Sequence, residues 1–286
     1  MTSTLALIGF GEAGQTFATA ADWRARATAF DIKLHDPTQS GPLLDAAQAA
    51  GVTMRDSAAT ALAGQPLILS LVTANQALAA AKMAAPALSQ QAIWCDMNSV
   101  APDTKRQAAQ IIHQAGGRYV DVAVMAPVQP AQLDVPLLVS GPHAEAGQAA
   151  LIAAGFRNIR NAGQEIGRAS AIKMIRSIMV KGIEALTAEC LLAAHRADVV
   201  DEVAQSLGAD WPDKADYNLD RMLQHGLRRA AEMEEVMATL ESLGVRGLLT
   251  SGTVARQRAI GCIGQGVPEG LAAKLSLIEQ TGLAQS

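Results

Sequence analysis

Aromatic residues and cysteines are scarce in this chain of 286 residues. Aromatic side chains make up 3% of the sequence, and its three cysteines, Cys95, Cys190 and Cys262, lie far apart. An odd number of cysteines at these spacings matches neither a disulfide framework nor a metal-binding motif. We therefore expect reduced thiols, no metal site and a cytoplasmic location. Abundant alanine beside few aromatics indicates helices that pack closely through small side chains.

An excess of positive charge and long apolar runs are also missing. The chain has 23 basic and 27 acidic residues, which is unlike the basic surface that binds nucleic acid. No apolar run approaches the ~18 residues of a membrane span, and the N-terminus shows neither the basic region nor the cleavage site of a signal peptide. We expect no nucleic-acid partner and no membrane association.

A glycine-rich turn follows the first strand-like segment, residues 5–8. The turn reads Gly9-Phe10-Gly11-Glu12-Ala13-Gly14. A strand, a Gly-x-Gly-x-x-Gly turn and a helix in this order are typical of dinucleotide binding, because the glycines permit the tight turn, the approach of a pyrophosphate and close packing of the helix. The N-terminus of the helix offers free N–H groups to the phosphates. The alternative is a glycine turn that binds nothing.

An acidic residue follows the second predicted strand, which we place at residues 30–35. Asp36 lies 22 residues beyond Gly14, and an acid about 20 residues after the glycine motif, at the tip of that strand, binds ribose hydroxyls. A carboxylate there repels a 2′-phosphate, so we predict NAD as the cofactor, with NADP as the other possibility. The alternatives are an Asp-Pro turn that ends the strand, or a nucleoside binder such as a methyltransferase.

Strand-like and helix-like segments alternate through the first half of the chain. Further strands are predicted at 52–54, 66–72, 92–96, 118–123, 136–140 and 156–160. This alternation predicts an α/β fold with a doubly wound parallel sheet of the Rossmann type. After Gly163 the strand signals disappear, and helices are predicted at 167–197, 198–207, 214–221, 227–243 and 255–260. We expect a dinucleotide-binding domain over 1–163 and an all-helical substrate and dimerisation domain over 164–286, with a long inter-domain helix.

Three loops are predicted at the carboxyl ends of parallel strands, where ligands bind in such sheets. Their candidate cofactor contacts are Val72, Thr73, Asn98 and Ser99, and their candidate substrate contacts are Met125 and Ala126. Taken singly, each loop is also explained as a polar or proline-rich strand end.

Polar side chains recur on one face of the long helix. They are Lys173, Ser177, Lys181 and Glu184. Their neighbours are apolar, and an unpaired charge buried among them would be costly. The alternative is a solvated face of a domain-spanning helix.

A second polar cluster occurs further along the chain. It consists of His225, Arg228, Arg229 and Glu232 on one helical face. Two guanidinium groups beside an imidazole can clamp a carboxylate or phosphate. The alternative is ion pairing on an exposed helix, such as Arg228 with Glu232.

These motifs together resemble the β-hydroxyacid dehydrogenase superfamily, which includes 3-hydroxyisobutyrate and 6-phosphogluconate dehydrogenases. Residues 8–14 resemble its N-terminal signature, and residues 96–102 resemble its Asp-x-Ser-Thr-x-x-Pro loop. Residues 121–124 are similar to its Asp-Ala-Pro-Val segment, and residues 167–173 to the stretch that ends in its catalytic lysine. The run 225–235 resembles a branch with a C-terminal domain of unknown function. The chain departs from the family at Met125-Ala126-Pro127, where the family has Ser-Gly-Gly, and at Arg176-Ser177, where it has Asn-Asn.

The resemblance implies an NAD(P)-dependent oxidoreductase that transfers a hydride between nicotinamide and a small hydroxy acid or related alcohol or carbonyl. Lys173 would be its general acid and base, and Ser177 would position the substrate oxygen. An anionic substrate would meet Arg176, His225 and Arg229, and the assembly would be a homodimer. The alternatives are an imine or ketone reductase of the same fold and a dinucleotide-binding sensor without catalysis.

Overall fold

The computed structural model describes residues 4–264 and 266–282. The chain divides into two compact units, the first ending at Lys173 and the second beginning at Met174. The domain boundary that the sequence predicts, between residues 163 and 164, precedes this division. The first unit therefore includes the start of the helix that follows the sheet, and Lys173 belongs to it.

An eight-stranded sheet forms the centre of the first unit. Its strands are β1 (Leu5–Ile8), β2 (Ala27–Phe30), β3 (Thr53–Met54), β4 (Leu67–Ser70), β5 (Ile93–Asp96), β6 (Arg118–Val124), β7 (Leu137–Ser140) and β8 (Ile159–Asn161). Their order is β3-β2-β1-β4-β5-β6-β7-β8, and β1 to β6 run parallel. The predicted Rossmann sheet is confirmed, with one correction. Strand β7 runs antiparallel to β6, and β8 pairs with β7 in parallel.

Helices cover both faces of this sheet. They are α1 (Glu12–Ala20), α2 (Ser40–Ala50), α3 (Ala58–Leu62), α4 (Ala77–Ala84), α5 (Pro102–Gln114) and α6 (Ala144–Ala153). Successive strand residues point to opposite faces, so Leu5 and Leu7 join the core under α1, α2 and α6, whereas Ala6 and Ile8 join the core under α3, α4 and α5. The sheet is thus buried on both sides, as parallel sheets require.

The second strand lies earlier in the chain than the sequence predicts. Residues 27–30 form β2, and Ile32–His35 form a 3₁₀ helix that Asp31 caps by accepting the N–H of Lys33. The predicted strand at 30–35 is wrong because, of its residues, only Phe30 belongs to β2, and the chain turns into the 3₁₀ helix directly after Asp31. Ile32 is 58% exposed, while the first three residues of β2, which are small, give a weak apolar pattern.

After β8 the described residues form helices joined by loops and contain no strand, as predicted. These helices are α7 (Arg168–Arg196), α8 (Val200–Leu207), α9 (Trp211–Ser242), α10 (Leu248–Gly261) and α11 (Leu271–Gln280). In the described part of the chain, no helix combines the length and apolar character that a bilayer crossing needs.

The two helices predicted at 214–221 and 227–243 are one continuous helix, α9. Gly226 does not break it, because this glycine is the point where α9 and α10 touch. A Cβ at Gly226 would lie 2.4 Å from the carbonyl oxygen of Gln257 and 2.7 Å from the Cα of Gly261. The absence of a side chain therefore serves close helix packing rather than a turn.

Candidate active site

The glycine-rich turn lies between the carboxyl ends of β1 and β4. Gly9 has a φ of +91°, and a Cβ there would lie 2.5 Å from the carbonyl oxygen of Leu71. At Gly11 a Cβ would have no heavy atom within 4 Å, and α1 begins directly after it without a side-chain cap. The first N–H groups of α1 therefore face open space at the switch point of the sheet, which suits a pyrophosphate.

Asp31, rather than Asp36, occupies the carboxyl end of β2. Its Oδ2 accepts the N–H of Phe10 at 2.8 Å, which ties the carboxylate to the glycine-rich turn. Asp36 lies beyond the 3₁₀ helix, where its Oδ1 accepts the hydroxyl of Thr38 at 2.7 Å. That hydrogen bond, together with the N–H of Thr38, lowers the pKa of Asp36. Asp31 is thus a second candidate for the ribose contact, and the contact predicted for Asp36 stays a prediction.

The sequence spacing alone did not separate these two acids. Asp31 lies 17 residues after Gly14 and Asp36 lies 22 residues after it, and both fit the expected distance of about 20 residues. The signal that identifies Asp31 is its place immediately after Phe30, the last residue of β2. The side chain of Phe10 is fully buried, so any contact of Phe10 with a cofactor comes from its backbone.

Asn98 joins the loops that follow β4 and β5. Its Oδ1 accepts the N–H of Val72 at 2.7 Å, and its Nδ2 donates to Ser70 Oγ at 3.0 Å and to Asp96 Oδ1 at 2.8 Å. Both N–H groups of the buried amide are therefore used within the protein. These bonds fix the backbone of Val72 and the turn that leads to Ser99, and the predicted contact between Asn98 and a cofactor stays a prediction.

Lys173 and Ser99 meet across 74 residues of sequence. The Nζ of Lys173 donates to the Oγ of Ser99 at 2.5 Å, and both residues are half-buried. Met125, in the loop after β6, packs against a small apolar cluster that contains Ala169 and Ile172 from the start of α7. The structure therefore brings three of the predicted site residues to the carboxyl edge of the sheet in the first unit. Thr73, on the neighbouring loop, donates to the side chain of Asn75 at 2.7 Å.

A buried ionic cluster, which the sequence patterns did not predict, lies beneath these loops. Lys105 is completely buried, and its Nζ lies 2.9 Å from Asp96 Oδ1 and 3.4 Å from Asp121 Oδ1. The hydroxyl of Tyr119 donates to Asp96 Oδ2 at 2.8 Å, and burial raises the pKa of Tyr119 well above its ordinary value, so that it remains a donor. The signal in the sequence was the position of Lys105 one turn before Ala108 on the buried face of α5.

Side chains of β6 and β7 cap the start of α7. Asp121 Oδ2 accepts the N–H of Ser170 at 3.0 Å, and Asp121 Oδ1 accepts the hydroxyl of Ser170 at 2.9 Å. Ser140 Oγ accepts the N–H of Ala169 at 3.0 Å. The first turn of α7, which leads to Lys173, is therefore anchored to the sheet.

The polar cluster of the helical unit is internally paired. Arg229 Nε donates to Glu184 Oε2 at 2.9 Å, and Gln257 Nε2 donates to the same oxygen at 2.8 Å. Arg229 is 7% exposed and Glu184 is 3% exposed, so the solvated-face interpretation of Glu184 is wrong. The guanidinium of Arg229 is committed to this pair, which argues against its predicted part in clamping a substrate.

The remaining predicted residues of that unit differ in exposure. Lys181 is buried and pairs with Glu232 Oε2 at 2.8 Å, and its Nζ also lies 3.5 Å from the Oγ of the buried Ser177. Arg228 is exposed and pairs with Glu232 at 3.2 Å, which confirms the ion pair considered for it. Arg176 is exposed and His225 is half-buried, and their roles stay predictions.

A Gly-x-Gly-x-x-Gly turn at the switch point of a sheet ordered 3-2-1-4-5-6 defines a dinucleotide-binding protein of the Rossmann type. The model of the NAD binding domain of 6-phosphogluconate dehydrogenase matches residues 4–162. Because this is more than half of the chain, the protein belongs to that family. A domain of unknown function, DUF1932, matches residues 194–260. The resemblance drawn from the sequence is confirmed.

Several solved structures resemble this chain over most of its length. A conserved hypothetical protein from Sinorhizobium meliloti 1021 is 39% identical, with 98% of this chain and 97% of that chain covered and a TM-score of 0.74. A conserved protein of unknown function, described as structurally similar to 3-hydroxyacid dehydrogenases, is 31% identical, with 90% and 96% covered and a TM-score of 0.68.

More distant structures share the fold alone. They are a 3-hydroxyisobutyrate dehydrogenase from Mycobacterium tuberculosis (15% identity, 98% and 99% covered, TM-score 0.74) and a reductive aminase from Aspergillus terreus in complex with NADPH (19% identity, 98% and 100% covered, TM-score 0.58). Among curated proteins, an uncharacterized 28.5 kDa protein of Methanothermus fervidus is 25% identical over 174 residues, or 59% of this chain. The chain spans 66% of the length of that relative.

Proposed function

We propose that this protein is an NAD-dependent oxidoreductase that transfers a hydride between nicotinamide and the hydroxyl-bearing carbon of a small anionic substrate. The observation that carries the proposal is the hydrogen bond between Lys173 and Ser99, at the sheet edge that also holds the dinucleotide-binding turn. The bound nicotinamide supplies the hydride chemistry. The protein supplies binding, orientation and the movement of a proton.

The residues around the turn fit a dinucleotide. Gly9 and Gly11 leave the backbone clear, and the start of α1 directs N–H groups into that space. Asp31, at the carboxyl end of β2, is proposed to accept hydrogen bonds from the adenosine ribose. The loops that contain Val72, Thr73 and Ser99 are proposed to hold the nicotinamide half.

Lys173 is proposed as the general acid and base. In the oxidation of an alcohol its neutral amine takes the proton of the hydroxyl, and in the reverse reaction its ammonium returns that proton to the carbonyl oxygen. The hydrogen bond to Ser99 orients Nζ for this exchange. Ser177 retains its proposed part in positioning the substrate oxygen, and the exposed Arg176 is the candidate partner for a negatively charged group.

A turnover screen tests this function. Hydroxy acids, sugar acids and phosphorylated acids are assayed with NAD and NADP, while the absorbance of the reduced nicotinamide is followed. We expect turnover with at least one hydroxy acid. Binding of the cofactor without turnover of any alcohol, ketone or imine would support the sensor alternative.

The fold shared with an NADPH-bound reductive aminase keeps imine reduction as the second candidate, because Lys173 can also protonate a nitrogen.

The choice between NAD and NADP is expected to depend on Asp31. Replacing Asp31 by asparagine removes the charge that favours the ribose hydroxyls and repels a 2′-phosphate. Because a hydrogen bond to a charged group contributes about 1.5–3 kcal/mol, the affinity for NAD should fall by roughly 10- to 100-fold, as measured by calorimetric titration. The matched variant Asp36→Asn should bind NAD within about twofold of the wild type.

The ratio of the affinity for NAD to the affinity for NADP shows whether Asp31 recognises the ribose or only holds the glycine-rich turn in shape. Loss of the Phe10 hydrogen bond would weaken NAD and NADP equally, whereas loss of the carboxylate weakens NAD and favours NADP in relative terms. If Asp36→Asn changes this ratio and Asp31→Asn does not, the ribose contact belongs to Asp36 after all.

We further propose that the protein forms a homodimer through α7. Ile175, Met179, Ile183 and Leu186 are between 41% and 65% exposed and follow one another at helical spacing, so they form an apolar stripe. Such a stripe is typical of a protein interface. Light scattering should give the mass of a dimer, and Met179→Asp should shift it toward the monomer, whereas Leu44→Asp on α2 should not. A stable wild-type monomer at micromolar concentration would rule the dimer out.

A further inference from the structure

Lys105 pairs with two carboxylates, one beneath the turn that contains Ser99 and one beneath the start of α7, which contains Lys173. Its Nζ donates to the carbonyl oxygen of Asp96 at 2.6 Å as well as to the Asp96 carboxylate, and it lies 3.4 Å from the Asp121 carboxylate. Asp96 ends β5, and Asp121 lies in β6. A completely buried ammonium thus neutralises part of the charge of two carboxylates from neighbouring strands.

One branch of this cluster leads to Ser99. Besides the ammonium, Asp96 Oδ1 accepts the backbone N–H of Asn98 at 3.0 Å and its side-chain N–H at 2.8 Å. These bonds shape the turn that leaves β5, and Ser99 is the next residue. A shift of the Asp96 carboxylate would therefore move the hydroxyl that receives the Lys173 hydrogen bond.

The other branch leads to Lys173. Asp121 holds both the N–H and the hydroxyl of Ser170 in the first turn of α7, three residues before Lys173. Ser140 supports the same carboxylate through its hydroxyl at 3.1 Å. Both members of the Lys173–Ser99 pair are therefore attached, through two carboxylates, to one cation.

We propose that Lys105 is a positioning residue that sets the geometry of the Lys173–Ser99 pair. The inference rests on the proposed function, in which that pair moves the proton. With Lys105 removed, the two carboxylates repel each other in a buried site, where an uncompensated charge is costly. One of them must move or take up a proton, and the attached loop or helix start moves with it.

The test measures the reactivity of Lys173 directly and needs no substrate. The folded chain is treated briefly with acetic anhydride, and acetylation of Lys173 is quantified by mass spectrometry relative to the exposed Lys82. In Lys105→Met, loss of the Ser99 hydrogen bond should raise the relative rate for Lys173 by roughly three- to tenfold. Where a substrate is established, kcat should fall by about 10- to 100-fold.

A milder variant covers the case in which Lys105→Met does not fold. Ser170→Ala removes one hydrogen bond from the Asp121 branch and should raise the acetylation of Lys173 in the same direction, by a smaller factor. Its matched control is Thr28→Val, which removes the hydrogen bond of Thr28 to the carbonyl oxygen of Ala61 in the same unit but outside the cluster. Thr28→Val should lower stability comparably and leave Lys173 unchanged.

The outcomes are distinct. If Ser170→Ala, and Lys105→Met where it folds, leave the Lys173 rate at the level of Thr28→Val, Lys105 is only a stabilising residue and the inference is wrong. If Lys105→Met raises the Lys173 rate but Lys173→Met retains normal kcat on an established substrate, the positioning holds and the proposed function fails.

Discussion

Lys173→Met is expected to lower kcat by a factor of at least ~100 on any substrate that the enzyme turns over, the low end for general acid–base catalysis. Methionine keeps much of the length and volume of the side chain but can neither give nor take a proton. The dissociation constant for NAD should change by less than about twofold, because the glycine-rich turn and Asp31 lie on other loops. Steady-state kinetics and a separate binding titration measure the two quantities.

Two further variants show whether the proton or the charge matters. Lys173→Arg keeps the positive charge but holds its proton too tightly to exchange it, so it should be nearly as impaired as Lys173→Met. Lys82→Met removes an exposed lysine of the same unit and should leave kcat unchanged. Near-normal kcat in Lys173→Met would make the lysine structural and would overturn the mechanism.

Arg229→Ala is expected to destabilise the helical unit by about 3–5 kcal/mol, the usual cost of removing one partner of a buried ion pair. The sequence pattern predicted instead a higher KM, since two arginines beside a histidine suit an anionic substrate. In the structure Arg229 is buried and pairs with Glu184. Its removal leaves the carboxylate of Glu184 with Gln257 as the remaining donor of that cluster. Urea unfolding followed by the circular dichroism of the helices measures the change.

The neighbouring arginine is the matched control for this prediction. Arg228 is exposed and pairs with Glu232 at i,i+4, so Arg228→Ala should change stability by less than about 0.5 kcal/mol. The double variant Arg229→Met/Glu184→Met should recover much of the loss, because apolar residues can replace a buried pair. A stable Arg229→Ala variant with a raised KM would restore the substrate-clamp interpretation.

The features predicted well from the sequence are those that repeat along the chain. Runs such as Leu67–Ser70 are apolar on both faces, and such continuous runs are typical of strands in a parallel sheet. The glycine pattern placed the turn after β1 correctly, because Gly9 has the positive φ and the close backbone contact that exclude other residues. The change from alternating elements to helices after residue 163 is confirmed, because no strand follows β8 in the described residues.

The features that the sequence did not predict depend on contacts between distant segments. The reversal of β7 leaves no local trace, because strand direction is set by the connection rather than by the residues. In the sequence, Gly226 looks like a helix break. Only the structure shows that its missing side chain makes room for Gly261 of α10. Lys105 resembles an ordinary helix lysine, and only the fold shows Asp96 and Asp121 on either side of it.

Binding of a nicotinamide dinucleotide at the Gly9–Gly14 turn can be measured by calorimetric titration of the full chain with NADH and NADPH. We expect saturable binding of NADH with a dissociation constant on the order of micromolar, within the range usual for enzyme ligands. Gly11→Val should fold normally, because a Cβ at Gly11 meets no atom within 4 Å, and it should lose binding because its side chain fills the space for the pyrophosphate. Binding of neither dinucleotide at about 1 mM, or full affinity in Gly11→Val, would contradict the account.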